Sequence, residues 1–178
     1  MALYHISDQP DIARFEPRPS PSGPGQEGLM VWAVDEAHLH NYLLPRDCPR
    51  VCFRPVESTS LEDRERLMGG SDAQAVVAIE SGWLAALRQE TLYRYLLPAA
   101  TFSCIDSSAG YFISRGTVVP ERVEIIDDLL CALVERNVEL RITPTLWPLR
   151  DAVACSTMEF SIIRMRNAQP RRNGDVPR

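Results

Sequence analysis

Fourteen prolines are spread through the 178 residues of this chain, and they set the first limit on its fold. Each removes a backbone N–H and fixes φ, so an all-helical architecture would be broken at many of them. Apolar residues accordingly fall in short runs separated by turn-forming residues, which predicts an α+β fold with seven or eight short strands and four or five short helices. A chain of this length buries about two thirds of its unfolded surface, enough for one sizeable core, so one domain over residues 1–168 is expected. The polar stretch 169–178, with prolines and a glycine, is expected to be a disordered tail.

Strands are predicted at 2–7, 29–34, 50–56, 75–79, 92–96 and 138–142, with further candidates at 101–105, 111–114 and 123–126. In the first, period-two spacing puts Leu3, His5 and Ser7 on one face and Tyr4 with Ile6 on the other. Ser7 or Asp8 can cap a helical turn over 10–15, and 17–25 is too rich in proline, serine and glycine for regular structure. That segment is either a plain surface connection or a flap over a ligand. Ser60-Leu61-Glu62-Asp63 reads as a capping box in which aspartate replaces glutamate, and Asp127-Asp128 can cap a helix whose stripe is Leu129, Leu130, Leu133 and Val134. Helices are also expected at 83–89, 147–153 and 158–165, with Trp147 and Phe160 as core residues.

Nineteen basic and twenty-four acidic side chains give a net charge of -5, so no global positive field draws polyanions and nucleic acid is disfavoured as a partner. No apolar run approaches the roughly 20 residues of a membrane span, and a cytoplasmic protein without a membrane partner is expected. The cysteines (Cys48, Cys52, Cys104, Cys131 and Cys155) are odd in number and mostly lie beside apolar residues, which favours buried free thiols. Cys48 and Cys52 lack a second pair at ligand spacing, so no metal is expected. Neither GxxxxGK[ST] nor GxSxG occurs, which argues against a P-loop phosphate cradle and a serine nucleophile elbow.

Three groups of residues remain as candidate chemistry. His5 can exchange a proton near neutrality or bond a ribose hydroxyl, or it can be a satisfied structural histidine. Trp32 and Tyr42 can stack on a planar ring and Arg46 can meet a phosphate, although Trp32 also suits a core and Arg46 a solvated pair with Asp47. Tyr111 and Arg115 share a strand face beyond Gly110, and Glu121 is either an acid group or part of an exposed turn.

The strings Leu3-Tyr4-His5-Ile6-Ser7, Val31-Trp32-Ala33-Val34-Asp35, Pro45-Arg46-Asp47-Cys48-Pro49-Arg50 and Leu146-Trp147-Pro148-Leu149-Arg150-Asp151 resemble those of an uncharacterised bacterial family of small soluble proteins. More distantly, the opening strand resembles that of the ADP-ribosyltransferase and RNA 2'-phosphotransferase superfamily. That resemblance implies a split, strongly bent mixed β-sheet core with short peripheral helices, and NAD or an ADP-ribose-like nucleotide as ligand. It assigns His5 to a ribose with Ser7 assisting, Trp32 or Tyr42 to the ring pocket, and Arg46, Arg50 and Arg115 to positive charge. The family's late-strand glutamate falls at Gly110 or Tyr111 here, leaving Glu121 as the substitute. A ligand-sensing or protein-interaction module is the alternative reading.

Overall fold

The computed structural model describes residues 1–19 and 28–171, in a mixed α and β architecture with two sheets and a few short helices. In chain order its strands are β1 (Leu3–Ser7), β2 (Arg18–Pro19), β3 (Leu29–Asp35), β4 (Arg50–Arg54), β5 (Ala75–Glu80), β6 (Leu92–Leu97), β7 (Ser103–Asp106), β8 (Tyr111–Ser114), β9 (Arg122–Ile126), β10 (Val138–Thr143) and β11 (Glu159–Ile163). The α-helices are α1 (Leu61–Met68), α2 (Leu84–Gln89), α3 (Leu129–Val134) and α4 (Trp147–Ala154), and Glu36–Tyr42 winds as a 3-10 helix. They form two compact units, Met1–Tyr42 with Thr91–Asp127 and Leu43–Glu90 with Asp128–Arg178.

The first unit is a sheet in the order β7-β8-β3-β1-β6-β9, with β2 paired to β3 and every neighbour antiparallel. Five residues of β1 match β6, from Leu3↔Leu97 to Ser7↔Tyr93, whereas β1 meets β3 only at Leu3↔Asp35 and Tyr4↔Val34. Strand alternation then assigns the faces. Leu3, His5 and Ser7 share one with Tyr95, Val31, Ala33 and Phe112, while Tyr4, Trp32, Val34, Arg94 and Tyr111 occupy the other. Leu3, Phe15, Val31, Ala33, Tyr95, Leu97, Phe112 and Val118 make the core of the first face.

In the second unit the order is β10-β5-β4-β11, with β10 parallel to β5 and the other pairs antiparallel. A parallel neighbour requires a crossover, and α2 and α3 lie on the path between β5 and β10. All six residues of β5 are buried, and Val51, Phe53, Val76 and Ala78 pack with Leu67 of α1, with Leu146 just before α4 and with Val153 of α4. Ser60 caps α1 by accepting from the Asp63 amide at 3.2 Å, and Asp128 caps α3 by accepting from Cys131 at 2.9 Å, as the sequence signals predict. Gly69 closes α1 at φ +59°, a conformation glycine adopts without strain.

Several expectations give way. Residues 158–165, expected as a helix, contain β11, because pairing of Phe160 with Phe53 and Ile162 with Val51 gives this β-branched segment backbone partners. Phe160 is exposed and outside the core. Residues 10–15 are not helical; their backbone is held by side chains, as described below. Arg18–Pro19, placed in an irregular segment, pairs as β2 with β3, and the flap reading of 17–25 otherwise falls on residues outside those described. Cys48 and Cys52 are buried, but Cys104, Cys131 and Cys155 are exposed. Part of the expected tail is anchored: Gln169 donates its amide to Glu80 and accepts from the Trp147 indole, and Arg171 pairs with Asp151. No helix among the described residues is long and apolar enough to cross a membrane.

Candidate functional site

His5 sits where the β1–β3 ladder ends. Its ring takes over as link between the two strands, Nδ1 lying 3.0 Å from the carbonyl oxygen of Trp32. A carbonyl only accepts, so Nδ1 carries the proton and the acceptor of the neutral ring is Nε2. Phe15 lies against the imidazole with centroids 4.7 Å apart, and Tyr95 meets Phe15 edge-on at 5.3 Å.

The segment that delivers Phe15 is held from β6. The phenol of buried Tyr95 donates to the carbonyl of Gln9 at 2.6 Å and accepts from the amide of Ile12 at 3.1 Å. Phe15 and Val118 then bond reciprocally through their backbones, at 2.7 and 3.0 Å. Ser7 Oγ accepts from the amide of Gln9 at 3.1 Å, so its hydroxyl turns the chain as well as facing the same side as His5. In-register pairing sets Tyr93 directly beside Ser7 on that face, half-buried. The sequence marks β6 as an alternating strand, but only its pairing with β1 reveals that Tyr93 and Tyr95 neighbour Ser7 and His5.

Trp32, Tyr42 and Tyr111 also come together, on the opposite face. Trp32 meets Tyr111 edge-on at 5.7 Å, and the Tyr42 hydroxyl donates to the Tyr111 hydroxyl at 2.8 Å. Trp32 Nε1 is buried and has no hydrogen-bond partner among the described residues. His5 and Ser7 are thus separated from these aromatics by the thickness of the sheet, since odd and even positions of β1 and β3 point to opposite sides. On this second face Arg94 lies over the Tyr4 ring at 5.4 Å and pairs with Glu124, which also binds Arg122 at 2.6 Å. Burial, followed by a hydrogen bond to Glu36, pushes the Tyr4 phenol above its ordinary pKa.

The remaining candidates are dispersed. Arg115 is exposed just beyond β8, its guanidinium against Gly28, where an added Cβ would come within 2.8 Å of Nη1. Glu121 is exposed in the turn before β9 and donates its amide to Leu96 at 2.8 Å. Arg46 belongs to the second unit, exposed in a turn closed by the Cys48 amide on Pro45. Arg50 is buried beneath that turn and donates to the carbonyls of Pro45 and Cys48 at 3.4 and 3.0 Å, which gives it a structural role.

The position that the resemblance reserves for a carboxylate is closed by packing. Gly110 has φ +66° and is buried, its carbonyl accepting from Asp35 at 3.1 Å. Asp35 Oδ1 in turn holds the His38 ring at 2.6 Å and its amide at 3.0 Å, and this pair fills the space over Gly110. The signal for the Asp35–His38 pair is their three-residue spacing at the start of the 3-10 helix, which sequence reasoning passed over.

No curated protein and no solved structure matches this chain. A family model described as a family of unknown function (DUF6886) matches residues 4–168, nearly the whole chain. The chain therefore belongs to that family.

Proposed function

We propose that this protein binds a nucleotide of the NAD or ADP-ribose class on the His5 face of its first sheet. One observation carries the reading: the His5 ring is half-buried at the end of the β1–β3 ladder with Nδ1–H committed to the Trp32 carbonyl, which defines Nε2 as the acceptor. An imidazole of fixed orientation on the same strand face as the Ser7 hydroxyl and the Tyr93 phenol suits the vicinal hydroxyls of a ribose. The likeness of the opening strand to ADP-ribosyltransferases points to the same ligand class.

The chain's residues fit the binding half of that chemistry and not the transfer half. Stabilising an oxocarbenium-like centre needs an ionised carboxylate beside it. Position 110 has no room for one, Tyr111 offers a phenol engaged with Tyr42, and Glu121 belongs to an exposed turn. The proposal is therefore recognition, and no transfer step follows from these side chains.

Calorimetric titration of the wild type and His5→Ala with NAD, ADP-ribose and nicotinamide tests it. Losing a buried hydrogen bond of this kind costs about 1–3 kcal/mol, so the substitution should weaken NAD and ADP-ribose roughly tenfold or more, with nicotinamide alone not binding. Equal affinity in both proteins, or no heat with either dinucleotide or ADP-ribose, overturns the reading.

A further inference from the structure

The two end strands of the first sheet are finished differently. β7 is bulged between Cys104 and Asp106, and the Asp106 carboxylate turns back onto the amides of Ser108 and Ala109. A bulge at an edge bends the strand away from any newcomer. β9 has no such device: its five residues match β6 one for one from Arg122↔Leu96 to Ile126↔Leu92, and the amide of Glu121 continues the contact to Leu96.

β9 also carries unusual side chains for an edge. Val123 is 45% exposed and Ile125 68% exposed, with Val119 a short way upstream at 63%. Between them stand Arg122 and Glu124, of opposite sign and two residues apart. An edge protected by charge repels its own copy when the charges are alike. Here an antiparallel copy centred on Val123 would set Arg122 against the copy's Glu124, Glu124 against its Arg122, Val123 against Val123, and Glu121 against Ile125. Opposite charges and β-branched pairs directly across a ladder are each favourable. The neighbouring register centred on Glu124 would oppose two carboxylates, so the charge pattern selects one alignment.

We propose that β9 is a self-association edge, at which two copies of this chain join β9 to β9 in an antiparallel, two-fold arrangement centred on Val123. The interface is isologous and closes on itself, so it gives dimers and no larger polymer. Its short backbone ladder lies at the sheet edge and covers neither face, so it is independent of nucleotide binding.

Sedimentation velocity on the full chain tests this over a concentration series reaching the millimolar range, with Val123→Asp as the comparison. Wild type should move with concentration from 20.0 kDa toward twice that mass. Val123→Asp places two carboxylates face to face at the symmetry axis and should remain a single chain. A measurement without mutation accompanies it: hydrogen exchange of the wild type at low and high concentration, in which those amides of 121–125 that β6 does not bond should gain protection and those of β7 should not. A wild type of single-chain mass throughout, association undiminished by Val123→Asp, or protection that is unchanged over 121–125 would each overturn the proposal.

Discussion

Gly110 and His38 exclude one another's growth: a Cβ built on Gly110 would overlap His38 Nδ1 and come within 2.7 Å of Asp35 Oδ1. The backbone at Gly110 is also in the left-handed region, φ +66°, so a side chain there meets strain and collision together. Gly110→Ala should destabilise the protein by about 2–4 kcal/mol in urea unfolding. Gly116→Ala, where nothing lies within 4 Å of the new methyl, should stay within about 0.5 kcal/mol of wild type. Equal effects would show that the Asp35–His38 pair yields easily to the added atom.

Tyr95→Phe isolates one hydroxyl. The ring keeps its place against Phe15, but Gln9 loses a donor and Ile12 an acceptor. The expected cost is about 1–3 kcal/mol, with faster hydrogen exchange at the Ile12 amide before any global unfolding. Unchanged exchange at Ile12 would mean that the reciprocal Phe15–Val118 bonds alone position the segment.

Acid should weaken the second unit through Asp63. The guanidinium of Arg66 at 2.6 Å, then the Thr157 amide at 2.8 Å and hydroxyl at 2.7 Å, hold its carboxyl well below the usual carboxylate range. The unfolded chain thus binds this proton more readily than the native one. Its stabilising contribution is present above the ordinary carboxylate pKa and fades as pH falls from there through the lower native value. Urea midpoints of wild type and Asp63→Asn should differ at pH 6 and converge toward pH 2. A gap that persists at low pH would assign the effect to shape alone.

Thiol chemistry should sort the cysteines. Burial pushes Cys48 and Cys52 up to about 12, whereas Cys104, Cys131 and Cys155 are exposed. Iodoacetamide at pH 8 should therefore label these three in the native protein and reach Cys48 and Cys52 only after denaturation, as read by peptide mass spectrometry. Among the exposed three Cys131 should lag, because its hydrogen bond to Glu135, and then the charge of that group, raise its pKa. Rapid native labelling of Cys52 would contradict the packing around β4.

Much of the fold is legible in local spacing. Alternation in residues 3–7 places His5 and Ser7 on one face without knowledge of any neighbour, and the serine and aspartate that cap α1 and α3 stand out before their apolar stripes. Legibility stops where a residue's setting depends on a distant strand. Met158, Ile162 and Met165 fit helical spacing while Met158, Phe160 and Ile162 fit strand alternation, and pairing with β4, more than a hundred residues earlier, decides between them. The site divides in the same way. His5 is visible as a residue type, but Phe15 and Tyr95 become its surroundings only through long-range contacts, and the separation of Trp32 and Tyr111 from His5 follows from a register that no local pattern encodes.

Each compact unit draws on two stretches of chain, with 43–90 falling between the halves of the first and 91–127 between the halves of the second. During synthesis β1 and β3 leave the ribosome well before their neighbours β6 and β8 exist. The nascent chain must carry two unsatisfied apolar strands for some fifty further residues, a window in which a chaperone has something to hold. For the same reason no single proteolytic nick can free either unit by itself: residues 1–127 keep the whole first unit and 43–178 the whole second, each burdened with an unpartnered half of the other.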